Sequence, residues 1–405
     1  MSNTTLTASI IAKAAVAILD NELVMAKKVF RGYEDDFSKK VNGYEQGETI
    51  SIRKPADFIV RTGATASAQN VVEGKTSITV DKRIGVDFKF TSQELTLNIK
   101  ELSERVIKNA MVQLANKMDM DLHALYKDVP NWVGTPGQTI NSFSDFSAGP
   151  QRLDEYAVDQ SGRCAVLSPP DHWGLVGSQT SLYNDTINKP SYRSGSVGMV
   201  GNVDTYMSQN VATHTTGSDL SGTVGSSITT ATITYDAVKD TNQQTITTSS
   251  VSFNAGDVFT IADVYAVNPV TKASLGFLKQ FTVVSYAADT LVFSPAMIWT
   301  GAFKNVAVTS GVTDLNGKAI TGVGTASTGY RQNMIFTEKA FALVTVPLVS
   351  PPGAVDVGRQ TYKGTSVRVI PVYDGISDES MWRLDVLYGV KTVDPRQAVR
   401  ISGVA

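Results

Sequence analysis

The sequence contains one cysteine and three histidines in 405 residues, so the residue types that build most redox and metal sites are scarce. Cys164 cannot form an internal disulfide alone, and its setting in Gly162–Leu167 predicts a buried strand residue rather than a reactive thiolate. His123, His172 and His214 lack the spacing of metal ligands. A disulfide-stabilised scaffold is therefore excluded, and a metalloenzyme has no support.

Long apolar runs and an excess of one charge are missing as well. No apolar run approaches the roughly 20 residues that a membrane-spanning helix needs, so no membrane partner is expected. The formal net charge is −2, from 36 Lys and Arg against 38 Asp and Glu. A protein that grips DNA along its length shows a basic excess, so no general attraction to nucleic acid is expected.

Motifs for catalysis and cofactor binding are also lacking. There is no P-loop and no G-x-S-x-G motif. The pair Asp171-His172 lies near Ser168, but a catalytic triad needs a nucleophile on a structured turn and a separate orienting acid. We interpret Asp171 as the cap of a helix. The sequence thus predicts no catalytic, metal-binding or cofactor-binding residue, and the chain is not expected to be an enzyme.

The first segment predicts an amphipathic helix from Leu6 to about Lys28. Such a helix either docks elsewhere as an arm or packs on its own domain, and the sequence favours neither. The expected apolar face is centred on Ile10, Ala14, Ala17 and Ile18 and broadened by Ile11, Ala15 and Leu19.

Alternating apolar and polar residues then predict two strands, Thr49–Arg61 and Thr76–Phe90, joined by a soft polar tip. An isolated hairpin of this length is marginal in water, so we expect it to lie on a neighbouring subunit. Charged residues cluster on it, and they can either meet charges of that neighbour or keep an exposed strand from aggregating. The candidate inter-subunit contact residues are Arg53, Lys54, Arg61, Glu73 and Lys75.

A long helix follows the hairpin. Thr91–Glu94 fits a capping box, and apolar residues recur in steps of three and four from Leu95 to Leu125. From Glu94 to Tyr126 this helix would span ~50 Å at the α-helical rise. A coiled coil is the alternative, but the repeat drifts from a strict heptad, which favours a strut lying across a sheet.

The clearest boundary in the chain is compositional. No arginine occurs between Arg193 and Arg331, and no glutamate between Glu155 and Glu338. This stretch is rich in Thr, Ser, Gly and Val and predicts a small antiparallel barrel or sandwich inserted at about Thr215–Thr328. The predicted strands are Ile228–Tyr235, Gln244–Phe253, Val258–Val264, Phe277–Tyr286, Leu291–Phe293 and Asn305–Val308, and the predicted core is Phe253, Phe259, Phe277, Phe281 and Phe293. C-terminal strands are expected to rejoin the sheet begun before the insertion.

This order of parts resembles the Hong Kong 97-type fold of tailed-phage major capsid proteins, and within it the short-tailed Salmonella phage coat-protein branch, which carries an inserted β-barrel. The resemblance rests on Met25–Val29, Gly256–Ile261, Phe281–Val284, Leu387–Val390 and the following Pro395. It implies an α+β fold with an extended loop over an adjacent subunit and a spine helix. The implied divisions are 1–40 N-terminal arm, 41–92 extended hairpin loop, 93–128 spine helix, 129–214 first part of the peripheral and axial domain, 215–328 inserted barrel and 329–405 its C-terminal part.

The function that this resemblance implies is a shell subunit forming hexamers and pentamers on an icosahedral lattice. The implied partners are other copies of the chain, a scaffolding protein, a portal protein and packaged double-stranded DNA by non-specific proximity. A scaffold-assisted procapsid would assemble in the bacterial cytoplasm, expand on packaging and become the virion capsid. Three alternatives stay open: a non-viral nanocompartment shell, a β-rich surface or adhesion protein, and an enzyme with a dispersed site.

Overall fold

The computed structural model describes residues 8–34, 40–41, 44–45, 49–61, 63–65, 68–91, 106–180, 197–229, 233–351, 357–362 and 365–404. The chain forms two compact units, and each is assembled from separate segments. Unit 1 is Met1–Ile50, Ser77–Leu122 and Phe341–Lys391, and unit 2 is Ser51–Thr76, His123–Ala340 and Thr392–Ala405.

The elements before the insertion are α1 (Ala8–Glu22), β1 (Lys40–Val41), β2 (Tyr44–Glu45), β3 (Thr49–Arg53), β4 (Lys75–Thr79), β5 (Lys82–Thr91), α2 (Lys108–His123), β6 (Trp132–Val133), α3 (Phe143–Glu155), β7 (Arg163–Leu167), α4 (Pro169–Thr180), β8 (Met199–Val200), β9 (Val203–Met207) and β10 (Thr213–Thr215). The insertion contributes β11 (Ser221–Val224), α5 (Tyr235–Val238), β12 (Gln244–Ser249), β13 (Val258–Val267), β14 (Ser274–Ala287), β15 (Thr290–Ser294), β16 (Val306–Val308) and β17 (Ala319–Gly322). The chain continues with β18 (Gly329–Arg331), β19 (Asn333–Thr337), β20 (Phe341–Val346), β21 (Gly358–Tyr362), β22 (Thr365–Asp374), β23 (Glu379–Thr392) and β24 (Ala398–Ile401).

Unit 1 is built on a sheet in the order β20-β23-β22-β21, with β5 also paired to β23. Helix α1 packs on β21 and β22 of this unit, so it packs on its own domain. Its buried face differs from the expected one. Ala17 is exposed and Ile18 half-buried, because several overlapping stripes have helical spacing and periodicity alone does not select the one that meets the sheet. The buried residues are Ile11, Ala12, Ala15, Val16 and Leu19.

The predicted hairpin strands were too long. Pairing of the hairpin is confined to β3 and β4, and the arms beyond Arg53 and before Lys75 are irregular. The expected second strand is interrupted at Val80-Asp81, because β4 pairs with β3 whereas β5 pairs with β23. Alternation of apolar residues continues across that change of partner, so the sequence pattern did not reveal it.

The long helix is described from residue 106 onward, as a π-helical start at 106–107, then α2, then a 3₁₀ turn over Ala124–Asp128. The predicted capping box and first turns lie largely outside the described residues. Within α2, the predicted apolar positions Ala110, Leu114, Met118 and Leu122 are buried. No helix in the described part of the chain is long and apolar enough to cross a membrane.

Unit 2 contains a six-stranded sheet and a closed barrel. The sheet order β6-β24-β19-β7-β9-β8 joins strands from before and after the insertion, which confirms the predicted return of the C-terminal strands. The barrel runs β14-β15-β12-β11-β17-β13 and closes through pairing of β13 with β14. Buried Cys164 lies on β7, as expected.

The barrel core is aromatic, as predicted, with one exception. The ring centres of Phe281 and Phe293 are 5.1 Å apart, and both rings pack against the ring of Phe259. Phe277 instead faces out of the barrel, where the guanidinium of Arg152 lies 3.8 Å from its ring centre. The strand expected over Ile228–Tyr235 is wrong in its described residues: Thr229 forms only an isolated bridge with Asp314, and α5 begins at Tyr235. The short strands β11 and β17 were not predicted.

Candidate assembly surface

The extended loop, defined here as residues 54–74 between β3 and β4, has two arms that are joined by polar contacts. The side-chain amide of Gln69 accepts from the Ile59 N–H at 2.9 Å and donates to the Ile59 carbonyl at 2.6 Å. This pair of bonds reproduces across the loop what a backbone ladder would supply. The two arms are therefore joined at Ile59 and Gln69 although regular pairing ends at Arg53.

Apolar side chains on this loop point into solvent. Val60 is 90% exposed, Phe58 58% and Ile59 46%, and Val71 on the other arm is 64% exposed. Scattered apolar residues on a surface need no explanation, but a run of three on a loop without its own core is unfavourable in water. This strip is a surface that a partner can cover.

The five predicted contact residues are divided by the structure between the two ends of the loop. Arg53 forms an exposed ion pair with Glu73 across the base, at 3.6 Å. Arg61 donates to the carbonyls of Gly63 and Thr65 and so stiffens the tip. Whether any of these residues touches a neighbouring subunit stays a prediction.

Lys54 and Lys75 lie at the base of the loop and contact the insertion within unit 2. The Lys54 ammonium donates to the carbonyls of Lys239 and Asp240, at 3.3 and 3.1 Å. Lys75 contributes only its backbone N–H, which donates to the Asp240 carboxylate at 2.9 Å. The loop base is therefore attached to the segment that follows α5.

The join between the barrel and the six-stranded sheet is built around the fully buried Arg400 of β24. Its guanidinium donates to the Gly256 carbonyl at 2.9 Å and to the Gln332 side chain at 3.2 Å. Its ring neighbours are Tyr126 and Trp132, at 5.2 and 5.7 Å from the two ring centres. Burial lowers the pKa of Arg400 to about 10, which still leaves the residue charged at neutral pH.

A buried Tyr–His–Asp chain completes this join. The Tyr126 hydroxyl lies 3.0 Å from His214 Nδ1, and His214 Nε2 lies 2.8 Å from the Asp257 carboxylate. The second oxygen of Asp257 accepts from the N–H groups of Gly217 and Asn254, at 3.0 and 2.6 Å. With its polar atoms engaged in backbone and side-chain bonds, this chain fixes the start of the insertion rather than presenting groups to a substrate.

The expected capping role of Asp171 is wrong. Asp171 lies inside the first turn of α4, and its carboxylate accepts from the Ile140 N–H at 3.0 Å, from Asn333 at 2.9 Å and from Arg331 at 3.1 Å. Ser168 also donates to it. These donors come from outside the helix, so Asp171 ties α4 to β18, β19 and the preceding loop. The serine that suggested a hydrolase fragment is one more structural donor.

His123 is buried at the end of α2, and neither ring nitrogen has a hydrogen-bond partner among the described residues. Burial lowers its pKa to about 4, so the ring is neutral at physiological pH. In the described ranges, no group of three His, Cys, Asp or Glu side chains has the geometry to hold a metal ion.

Two functional features escaped the sequence reasoning. The Arg400 centre was missed because its partners are backbone carbonyls and neutral side chains scattered over more than a hundred positions, which leave no motif. The apolar strip at Phe58–Val60 is visible in the sequence, but the alternation that precedes it predicts a strand through this segment. The signal for a loop in this segment was that the three consecutive apolar residues break the alternation of a strand.

Comparison with known proteins gives a consistent assignment. A family model described as "P22 coat protein - gene protein 5" matches residues 1–403. The chain is similar to a "Major capsid protein" from Acyrthosiphon pisum secondary endosymbiont phage 1, with 22% identity over 95% of this chain and 94% of the relative. Among solved structures it is similar to one from Mycobacterium phage Che8, with 14% identity, a TM-score of 0.49 and coverage of 93% and 90% of the two chains. The CUS-3 coat protein I-domain matches 26% of this chain over 97% of its own length, at 25% identity and a TM-score of 0.20.

Proposed function

The chain belongs to the P22 coat protein family, and we propose that its extended loop is the element through which one subunit docks on the next when the shell closes. The chain is a shell-forming major capsid protein of a tailed phage, with a structural role. The assignment favours the capsid interpretation over a nanocompartment shell, an adhesin or an enzyme. The observation that carries the docking role is the exposed apolar strip on the loop.

Burial of this strip would be favourable. Transfer of apolar surface from water contributes about 25 cal/mol per Å², so covering two or three large side chains supplies a few kcal/mol per contact. A shell repeats the contact at every interface, and weak contacts add up around a closed lattice. The exposed Arg53–Glu73 pair at the base can exchange partners with charges of a neighbour at little cost, because an exposed ion pair contributes only about 0–1 kcal/mol.

The finer features of the assembly belong to the same proposal. Hexamers and pentamers of the chain would form an icosahedral procapsid in the bacterial cytoplasm with a scaffolding protein, incorporate a portal protein and expand when double-stranded DNA is packaged. The formal net charge of −2 supports DNA as a contact by proximity only, because a near-neutral subunit does not hold phosphates and so does not hinder packaging.

Deleting Thr62–Val72 tests the docking role, because it removes the exposed Val71 and also Gln69, whose side chain holds Ile59 of the apolar strip in place. The base contacts of Lys54 and Lys75 lie outside the deletion, so we expect a folded subunit with wild-type near-UV circular dichroism that forms no closed shells in negative-stain electron microscopy. Thr65→Ala, an exposed substitution in the same tip, is the matched control and should assemble like wild type. Closed shells from the deleted protein would refute the docking role.

A further inference from the structure

The base of the extended loop is seated on the insertion of the same subunit. The Lys54 N–H donates to the Gly74 carbonyl at 2.8 Å, which closes the two arms of the loop against each other. The Lys54 side chain then reaches the carbonyls of Lys239 and Asp240, and the Lys75 N–H reaches the Asp240 carboxylate. We call this set of contacts the root latch: Lys54, Gly74 and Lys75 against Lys239 and Asp240.

The chemistry of the root latch is that of a helix end. Helix α5 stops at Val238, and the carbonyls at a helix C-terminus lack intrahelical partners. A lysine ammonium is a suitable hydrogen-bond donor for such carbonyls. Lys54 therefore satisfies groups of the insertion that would otherwise need water.

The steric fit at Gly74 shows how closely the extended loop approaches the insertion. A Cβ built at this position would lie 2.3 Å from the Lys239 carbonyl oxygen and 3.2 Å from the Tyr235 hydroxyl. The backbone of the loop is thus in direct contact with the insertion, and only glycine permits this approach. Tyr235 in turn stacks on Phe303 with 3.4 Å between ring centres and 7° between planes, which fixes α5 to a second segment of the insertion.

A second contact lies farther out along the loop. The Lys272 ammonium, in the turn between β13 and β14, is 3.8 Å from the Asp57 carboxylate. Lys272 is only 20% exposed and Asp57 34% exposed, so this pair is better shielded from solvent than the Arg53–Glu73 pair. Two separate segments of the insertion therefore hold the first arm of the loop, at Lys54 and at Asp57.

We propose that the inserted barrel, through the root latch, sets the direction in which the extended loop leaves the subunit, so that the barrel and the loop move as one body. The proposal rests on the docking role of the loop, because the direction of the loop matters only if its tip meets a neighbour. It assigns the insertion a mechanical task beyond its own stability: it positions the docking loop before assembly.

Hydrogen exchange on the full-length unassembled subunit tests the latch directly. The amides of Lys54 and Lys75 are the reporters, because each donates within the latch. Lys54→Met keeps the aliphatic stem but removes the ammonium, and we expect exchange at these amides to become about tenfold faster, the effect of losing one charge-assisted hydrogen bond. Gly74→Ala should accelerate the same amides at least as much, because the added methyl group displaces the Lys239 carbonyl.

Two controls separate the latch from general damage. In Lys75→Met the side chain changes but the latch contact, a backbone N–H, remains, so exchange should match wild type. Lys54→Arg retains a cationic donor and should restore slow exchange. Exchange in Lys54→Met and Gly74→Ala that equals wild type at both amides would overturn the proposal. So would an acceleration that Lys54→Arg fails to reverse, because the charged contact would then not be the cause.

Failure of the latch and failure of the docking role give different results. If Lys54→Met frees the loop base, as expected, shells should become irregular in size because the loop leaves at variable angles. Shells identical to wild type from a subunit with a freed base would contradict the positioning role and leave docking intact. A substitution in the apolar strip should do the opposite: it should prevent shells without changing exchange at Lys54 and Lys75.

Discussion

The inserted barrel and the extended loop differ in how they pair their backbone polar groups and in whether they bury their apolar side chains. The barrel pairs β13 with β14 and so has no open edge in its six-stranded ring, and its aromatic residues pack on one another. The loop leaves regular pairing after Arg53, uses side chains such as Gln69 to satisfy its backbone, and exposes Phe58 and Val60. A region that closes on itself buries its apolar surface internally, whereas a region that exposes apolar surface offers a site that a partner can cover.

The largest effect should come from the barrel core. Phe259 is fully buried and lies 5.5 Å from both Phe253 and Phe293, ring centre to ring centre. Phe259→Ala removes these contacts and leaves a cavity, which should lower the free energy of unfolding by about 3–5 kcal/mol. Urea unfolding followed by circular dichroism measures the change. A loss below about 1 kcal/mol would mean that the barrel does not depend on its aromatic core.

An intermediate effect should appear on acidification. The pKa of His123 in the folded chain is about 4, below the ordinary 6.5, because burial disfavours the charged ring. Above about pH 6.5 the ring is neutral in both the folded and the unfolded chain, and the free energy of unfolding is at its full value. As the pH falls from 6.5 toward 4, the unfolded chain takes up a proton that the buried ring does not, so the free energy of unfolding decreases. Titration of His123 should thus lower the free energy of unfolding of the wild type by up to about 3 kcal/mol between pH 7 and pH 4.

His123→Leu tests this assignment, since leucine cannot titrate. Its unfolding free energy should fall less steeply than that of wild type over the same pH interval, measured by urea unfolding at several pH values. Parallel pH curves for the two proteins would show that His123 does not titrate in this range. The exposed Arg53–Glu73 pair gives a contrast, because Arg53→Met should change stability by less than about 1 kcal/mol at either pH.

Much of the barrel could be predicted because its signals are local. The β-rich runs around Phe259, Phe281 and Phe293 lie on strands, and the missing arginine and glutamate mark the insertion. Strands β11 and β17 were not predicted because Ser221–Val224 and Ala319–Gly322 are short and consist mostly of small residues. Their place in the barrel depends on neighbours from distant parts of the chain, which no local pattern records.

Long-range contacts explain most of the other structural features that the sequence did not predict. The hydroxyl of the buried Tyr388 is satisfied by donating to Asp121 at 2.8 Å. Gly389 is required because a Cβ there would lie 2.2 Å from the Thr79 carbonyl oxygen. The motif Leu387–Val390 supported the family resemblance, but only the fold supplies these reasons. Likewise Lys54 was selected for its charge, whereas its contacts with the insertion depend on a segment far along the chain.

Electron microscopy of loop variants tests the central claim, that the exposed strip is completed by a second subunit. Phe58→Ser with Val60→Ser should leave the free energy of unfolding within about 0.5 kcal/mol of wild type, because both side chains are exposed. Under conditions in which wild type forms closed particles, this variant should form none. Val270→Ser, which removes an exposed valine from the turn between β13 and β14 of the barrel, should assemble normally. Closed particles of wild-type size and yield from the double variant would contradict the claim.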